Sequence, residues 1–309
     1  MKRARWNIAV VGAGNVGQVL GRLLVRGGDR VRGVVSRSAG SAAKAGAYLS
    51  CRNTGIRLDR IPDTTDLVLL TTPHSAVEET ARSIAGLGHL PFARMAFCHT
   101  SGMLTAAALA PLASKGATVF SFHPIQTFPR DFTPPQILPT LAGVWYGVDG
   151  DARAVRTARI LARRLGGKAV VVPADMRAYY HAACVVASNH MTVLLSVLDD
   201  MYRKLGIGSS GFLALFRPII EATLRNNEAA SPAEALSGPV ARGGIETIAL
   251  HFDAVRRFSP GLVPFFDAMT METVRLALRK GSIDARRAGE FRDLIAPGPD
   301  SSTSTEHTS

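Results

Sequence analysis

The 309-residue chain has only three cysteines, Cys51, Cys98 and Cys184. An odd number without close spacing excludes a disulfide framework and a paired-ligand metal site, and points to a reducing compartment. A long apolar run is also missing after the basic start Lys2, Arg3, Arg5. The stretch 8–11 is short and breaks at a glycine turn rather than a cleavage site, so a cytoplasmic protein is expected. The weakly charged segment 178–198 carries His181, Ser188, Asn189 and His190, which a membrane span would leave unpaired in lipid. A buried core helix is expected there, and no membrane partner. Finally, a net charge of +12 comes without any basic block or interleaved aromatics. Scattered Lys and Arg argue against nucleic acid, and their positive field suits small anionic ligands.

What is present begins with Trp6 to Gly17, WNIAVVGAGNVG. A β-branched apolar run suits a buried parallel strand, and Gly12, Ala13, Gly14, Asn15, Val16 and Gly17 suit a phosphate-binding turn at a helix N-terminus. One glycine serves the tight turn, one the close approach of a pyrophosphate, and one helix packing. Helical spacing at Val16, Val19, Leu20, Leu23 and Leu24 completes strand, turn and helix. The expected fold class is α/β: a Rossmann dinucleotide-binding domain followed by an all-α C-terminal domain. Its divisions are 1–173 for the cofactor domain, 174–296 for a helical substrate and dimerisation domain, and 297–309 for a disordered polar tail.

The second strand, 31–35, ends in Ser36, Arg37 and Ser38, with no acidic residue to accept from a ribose 2′-hydroxyl. Arg37 instead offers a planar fork of donors to a 2′-phosphate, so the predicted cofactor is NADP. Further strands at 66–70, 94–98 and 118–122 run into His74, His99 and His123. The carboxyl ends of parallel strands share one edge, and that edge holds the ligand. Any one of these could be an ordinary loop histidine; three at equivalent positions point to convergence on the cleft. Thr72, Pro73, His74, His99 and Thr100 are accordingly expected at the cofactor. A metal site built from His74, His99, His123 and Cys98 is the rival reading, without a close-spaced ligand pair to anchor it.

The proline-rich segment 129–139 reads as an irregular loop able to cover the cleft. Strands at 141–148 and 169–172 flank a helix at 152–165, and helix patterns alone follow from 175 to about 295. On the long helix 175–205, roughly 100° per residue puts His181, Ser188 and Thr192 within about 20° of one stripe, with Asn189 about 80° away. That stripe suits a cleft wall, and equally a satisfied core histidine. Arg242, among the small turn residues of 237–244, suits a substrate carboxylate or simply a helix start.

The segments VVGAGNVG (10–17), HTSG (99–102), SFHPIQTF (121–128), HAACVVASNH (181–190) and SGPVARGG (237–244) resemble, in this order, the Rossmann-like family whose second half is domain of unknown function 2520. Its distant relatives are ketopantoate reductase, pyrroline-5-carboxylate reductase and the 6-phosphogluconate dehydrogenase group. The resemblance implies an NADP-binding domain, an all-helical domain that often builds a homodimer, and a substrate cleft between them. Relatives commonly carry Lys-x-x-x-Asn on the interdomain helix; here Asn189 matches the asparagine, but Val185 stands at the lysine. Another group supplies the proton, or nothing does; His123 and His181 are the candidates, with Ser188, Asn189 and Arg242 binding substrate. The expected activity is hydride transfer between NADP and a C=O or C=N carbon of a small anionic metabolite, first a ketopantoate-like 2-oxo acid. A sensor or regulator that binds NADP without turnover is the alternative.

Overall fold

The structure is a computed structural model that describes residues 5–207 and 211–295; the expected tail at 297–309 lies outside the described residues. Eight strands form one sheet: β1 (Asn7–Val11), β2 (Arg30–Val35), β3 (Thr54–Gly55), β4 (Leu67–Leu70), β5 (Ala96–His99), β6 (Thr118–Pro124), β7 (Trp145–Asp149) and β8 (Lys168–Val171). Their order is β3-β2-β1-β4-β5-β6-β7-β8. All neighbours are parallel except β6 and β7, which pair antiparallel from Ser121–Asp149 to Pro124–Tyr146. The runs VV and LVLL that end β1 and fill β4 are buried throughout, as central strands covered on both faces require.

Alternate residues feed two cores. Ile8, Val10, Leu67, Leu69, Phe120 and Phe122 pack on one face with α1 (Asn15–Arg26). Beyond α2 (Ala39–Leu49), the opposite face buries Ala9, Val11, Val68, Leu70 and Phe97 with α3 (Val77–Ala85) and the short α4 (Ala110–Ala113). The period of two along a strand dictates this division. The segment 129–139 is less irregular than its prolines predict. It holds α5 (Pro134–Ile137), where Thr133 and Gln136 form a reciprocal cap. Then come α6 (Ala152–Arg164), with Asp151 accepting from the Ala154 amide, and, after β8, α7 (Arg177–Val185).

A π-helical stretch, Val186–His190, separates α7 from α8 (Met191–Leu205). The remaining helices are α9 (Phe212–Ala229), α10 (Pro232–Ala235), α11 (Ile245–Phe258), α12 (Val263–Lys280) and α13 (Ala285–Ile295), and no strand follows Val171 among the described residues. By packing, the described residues divide between Met191 and Thr192 into two compact units. The end of the sheet near Pro173 and this division are thus separate points on the chain, and α7 packs with the sheet unit. The second unit has its own core of Val240, Phe252, Val274, Ala277 and Phe291.

One expectation is overturned. The helix Ala174–Leu205 is long and apolar enough to cross a membrane by length and composition, with hydropathy 1.4, and none of that apolar window is buried. It is therefore not the buried core helix its composition predicts. Periodicity reports that a face is apolar, and says nothing of what covers it.

Candidate functional site

The site begins where β1 ends. Gly12 has φ +111°, a conformation natural only to glycine, and a Cβ there would lie 2.6 Å from the Thr71 carbonyl carbon. Its amide donates to Val35 O at 2.8 Å, tying the turn to β2. A Cβ on Gly17 would collide with the Gly12 carbonyl and the Thr71 hydroxyl, whereas a Cβ on Gly14 would meet nothing within 4 Å. Gly12 and Gly17 thus serve the protein's own packing, and Gly14 keeps open the space in front of the turn. The first hydrogen bond at the helix start is Gln18 N to Gly14 O, 3.1 Å. The amides of Asn15, Val16 and Gly17 precede it at a helix end, where such donors favour an anion.

The strand order reverses between β1 and β4, the point where open α/β sheets bind ligands. Thr71, just past β4, donates its hydroxyl to Gly12 O at 2.7 Å and so clamps the turn. Beside it, the buried Thr72 hydroxyl has no partner among the described residues. Pro73 starts the short turn His74–Ala76, and the Thr100 amide donates to Leu70 O at 3.2 Å. The Asn15 side chain faces the proline-rich segment, donating to Pro129 O at 2.8 Å and Phe132 O at 2.9 Å. Ala13 O accepts from Gln18 Nε2 at 2.8 Å. Open space, an unpaired hydroxyl and free helix-start amides fit a diphosphate.

At the end of β2, the Ser36 amide donates to Gly55 O at 3.0 Å. Arg37 is exposed, and its side chain makes no hydrogen bond, ion pair or ring contact among the described residues, leaving its guanidinium available. Ser38 caps α2, its hydroxyl accepting from the Ser41 amide at 3.2 Å, so that oxygen is already engaged.

The three strand-end histidines share an edge but differ in setting. His74 is exposed, its Nδ1 3.0 Å from Ser101 Oγ. His99 is fully buried, with Nε2 2.9 Å from Thr105 O; burial lowers its pKa, and neighbouring Arg177 and His74 add to that. It sits beneath the edge rather than on it. His123 is half-buried, its Nδ1 2.7 Å from Tyr180 Oη and its ring 5.8 Å from that of His181. Burial, then the charges of Arg177, His181 and His99, pull His123 down to about 4. It is a neutral imidazole at pH 7.

His123 and His181 line one cavity of about 480 Å³ with Ser188, Asn189, Cys184 and Val185. Among the described residues no Lys, Arg, Asp or Glu lines it. Gly102 makes the meeting of the two imidazoles possible: a Cβ there would stand 2.8 Å from His181 Nε2 and 3.0 Å from His123 Nε2. Ser188 and Asn189 lie in the π-helical stretch. The i→i+5 turn takes fewer degrees per residue, which carries Asn189 back onto the stripe that a regular helix would miss.

A family model described as a Rossmann-like domain matches residues 1–124, and one described as domain of unknown function (DUF2520) matches 144–273. The two matches place a Rossmann-like domain ahead of a DUF2520 domain in this chain. Among solved structures it is similar to TM1727 from Thermotoga maritima, at 20% identity over 89% of this chain and 99% of that one, TM-score 0.68. It is also similar to BF3122 from Bacteroides fragilis, by name a candidate NADP oxidoreductase, at 18% identity over 88% and 98%, TM-score 0.67. An imine reductase variant from Myxococcus stipitatus with bound NAD+ matches at 15% identity over 93% and 99%, TM-score 0.55. At these identities the likeness is one of fold. A search of curated proteins finds no match.

Sequence reasoning missed the groups behind the histidines. Arg177 is 2% exposed, donates to Ser101 O at 3.0 Å and stands 3.7 Å from Asp149 Oδ1. Asp149 accepts from the Ala106 amide at 2.7 Å and from the Ser121 hydroxyl. Tyr180 completes the set, 5.2 Å from the Arg177 guanidinium carbon. The only signal was the order of the polar residues in HTSG and SFHP, which their strands bring side by side. Among the described residues no group of three or more His, Cys, Asp and Glu is placed to hold a metal, and Cys98 is fully buried with its thiol pushed up by burial. Arg242 is exposed on a short turn, Val240–Arg242, within the second unit.

Proposed function

We propose that the protein is an NADP-dependent oxidoreductase acting on a C=O or C=N carbon of a small anionic metabolite, first a ketopantoate-like 2-oxo acid. The observation that carries this reading is the cavity that gathers His123, His181, Ser188 and Asn189 on the sheet unit that also holds the glycine turn. Bound NADP would supply or accept the hydride. The amides after Gly14 hold the pyrophosphate, with Ala13, Thr72, Pro73, His74 and Thr100 shaping the adjoining edge and the buried His99 supporting it from beneath. Ser36 and Arg37 take the 2′-phosphate, Ser38 acting through the cap of α2. The names of BF3122 and the imine reductase, one with NADP and one with NAD+, support a nicotinamide dinucleotide.

In the cavity, His123 and His181 offer N–H donors to the oxygen or nitrogen on which charge develops, and Ser188 and Asn189 orient the substrate. Arg242 is assigned the substrate's anionic group on the sequence motif. The helical unit is assigned to a homodimer: α9 has 18 residues and none is buried, although Leu215, Ile219 and Leu224 are apolar. A helix of that length draws its stability from packing, and a second copy is the commonest partner.

The experiment is an NADPH titration followed by a screen of 2-oxo acids and imines. Substrate-dependent NADPH oxidation, reduced on the order of 100-fold in His123→Ala, supports the reading. A second reading is favoured by Val185, which lines the cavity at the lysine position: a sensor that binds NADP without turnover. NADPH binding without oxidation by any of these compounds, unchanged in His123→Ala and His181→Ala, selects it.

A further inference from the structure

A neutral imidazole has two tautomers, and only one presents a proton to a substrate at a given nitrogen. His123 Nδ1 is 2.7 Å from Tyr180 Oη, the two rings meeting edge-on with centroids 5.7 Å apart. The phenol is flanked on two sides. Arg177 stacks 5.2 Å from its ring centroid, and Gly147 of β7 lies beneath it. A Cβ on Gly147 would be 2.6 Å from Tyr180 Cζ, so the absence of a side chain there is what admits the ring. Arg177 itself is held by Ser101 O and faces Asp149. On the other side of the imidazole, Nε2 faces Gly102 and His181, and His123 and His181 both line the cavity.

We infer that Tyr180 is a positioning residue: its hydroxyl donates to His123 Nδ1, which places the imidazole proton on Nε2 at the cavity. Burial keeps the phenol protonated, and the Arg177 charge makes its O–H a stronger donor. With burial first, and then Arg177, His181 and His99, disfavouring a cationic ring, His123 has one proton, and the Tyr180 bond decides where it sits. In the competing arrangement the imidazole proton sits on Nδ1 and is donated to Tyr180 Oη, leaving a lone pair on Nε2. The first makes His123 a donor to the substrate and the second makes it a base. The role of that donor rests on the oxidoreductase reading; the tautomer does not.

The test is nitrogen NMR of the full chain labelled with 15N-histidine at pH 7, His123 being identified by the signals lost in His123→Gln. The expected spectrum shows Nε2 protonated and Nδ1 bare. In Tyr180→Phe, and in Gly147→Ala, which displaces the phenol without deleting it, the two ring shifts move towards each other as the preference is lost. Once a substrate is known, Tyr180→Phe should lower kcat by roughly 10–100-fold, with KM and NADPH affinity unchanged. A wild-type His123 protonated on Nδ1, or a Tyr180→Phe spectrum unchanged from wild type, overturns the inference. Because the spectrum needs no turnover, a failed substrate screen leaves it decided.

Discussion

His123 carries the account at the scale of single residues, and its setting has a pH consequence. Its folded pKa of about 4 lies below the unfolded value of about 6.5. Between those values the unfolded chain binds the extra proton, so stability is complete above pH 6.5 and is lost as pH falls towards 4. The group's full contribution is about 3 kcal/mol. Thermal unfolding at pH 7 and pH 5 should show a smaller loss on acidification in His123→Gln than in wild type; parallel profiles would remove the assignment. Arg37 yields a second expectation. Its free guanidinium suits a 2′-phosphate, so Arg37→Asp should weaken NADPH by roughly 10–100-fold and NADH far less, read by titration. Equal losses would end the 2′-phosphate assignment. At this scale the histidines and the missing acid after β2 were legible, because residue type alone carries their chemistry. Arg177, Asp149 and Tyr180 were not, since only the sheet brings residues so far apart in sequence together.

Among elements, the glycine turn separates what serves the fold from what serves the ligand. Gly12→Ala forces a Cβ into Thr71 at positive φ and should cost on the order of 2–4 kcal/mol in denaturant unfolding. Gly14→Ala meets nothing in the protein, so it should change stability by less than about 1 kcal/mol while lowering NADPH affinity tenfold or more. If both variants lost stability alike, Gly14 would be structural. Strand, turn and helix were readable here because apolar runs and glycines act locally. The stripe on the long helix was read only in part: a wheel at a constant angle cannot anticipate the π turn at Val186–His190 that returns Asn189 to the cavity. The two-residue β3 and the reversed β7 lay beyond reach for the same reason, as pairing partners and strand direction are tertiary facts.

For the whole molecule, two uncovered apolar helices set the expectation. The sequence marked 178–198 as apolar, and the chain leaves Val186, Val193 and Leu194 exposed, with Leu215, Ile219 and Leu224 on α9. Sedimentation at micromolar concentration should give twice the 32.8 kDa chain mass, and Ile219→Asp should shift the protein towards monomer. A wild-type monomer would leave the dimer assignment without support.

The cavity of His123, His181 and Asn189 is proposed to reduce a substrate with NADPH. NADPH consumption by purified protein across 2-oxo acids and imines, in parallel with His123→Ala, tests this proposal. At least one compound should be reduced with the loss of one NADPH per product, and the variant should bind NADPH normally but turn over on the order of 100-fold more slowly. NADPH bound tightly yet oxidised by none of them, or turnover equal in the variant, would contradict it.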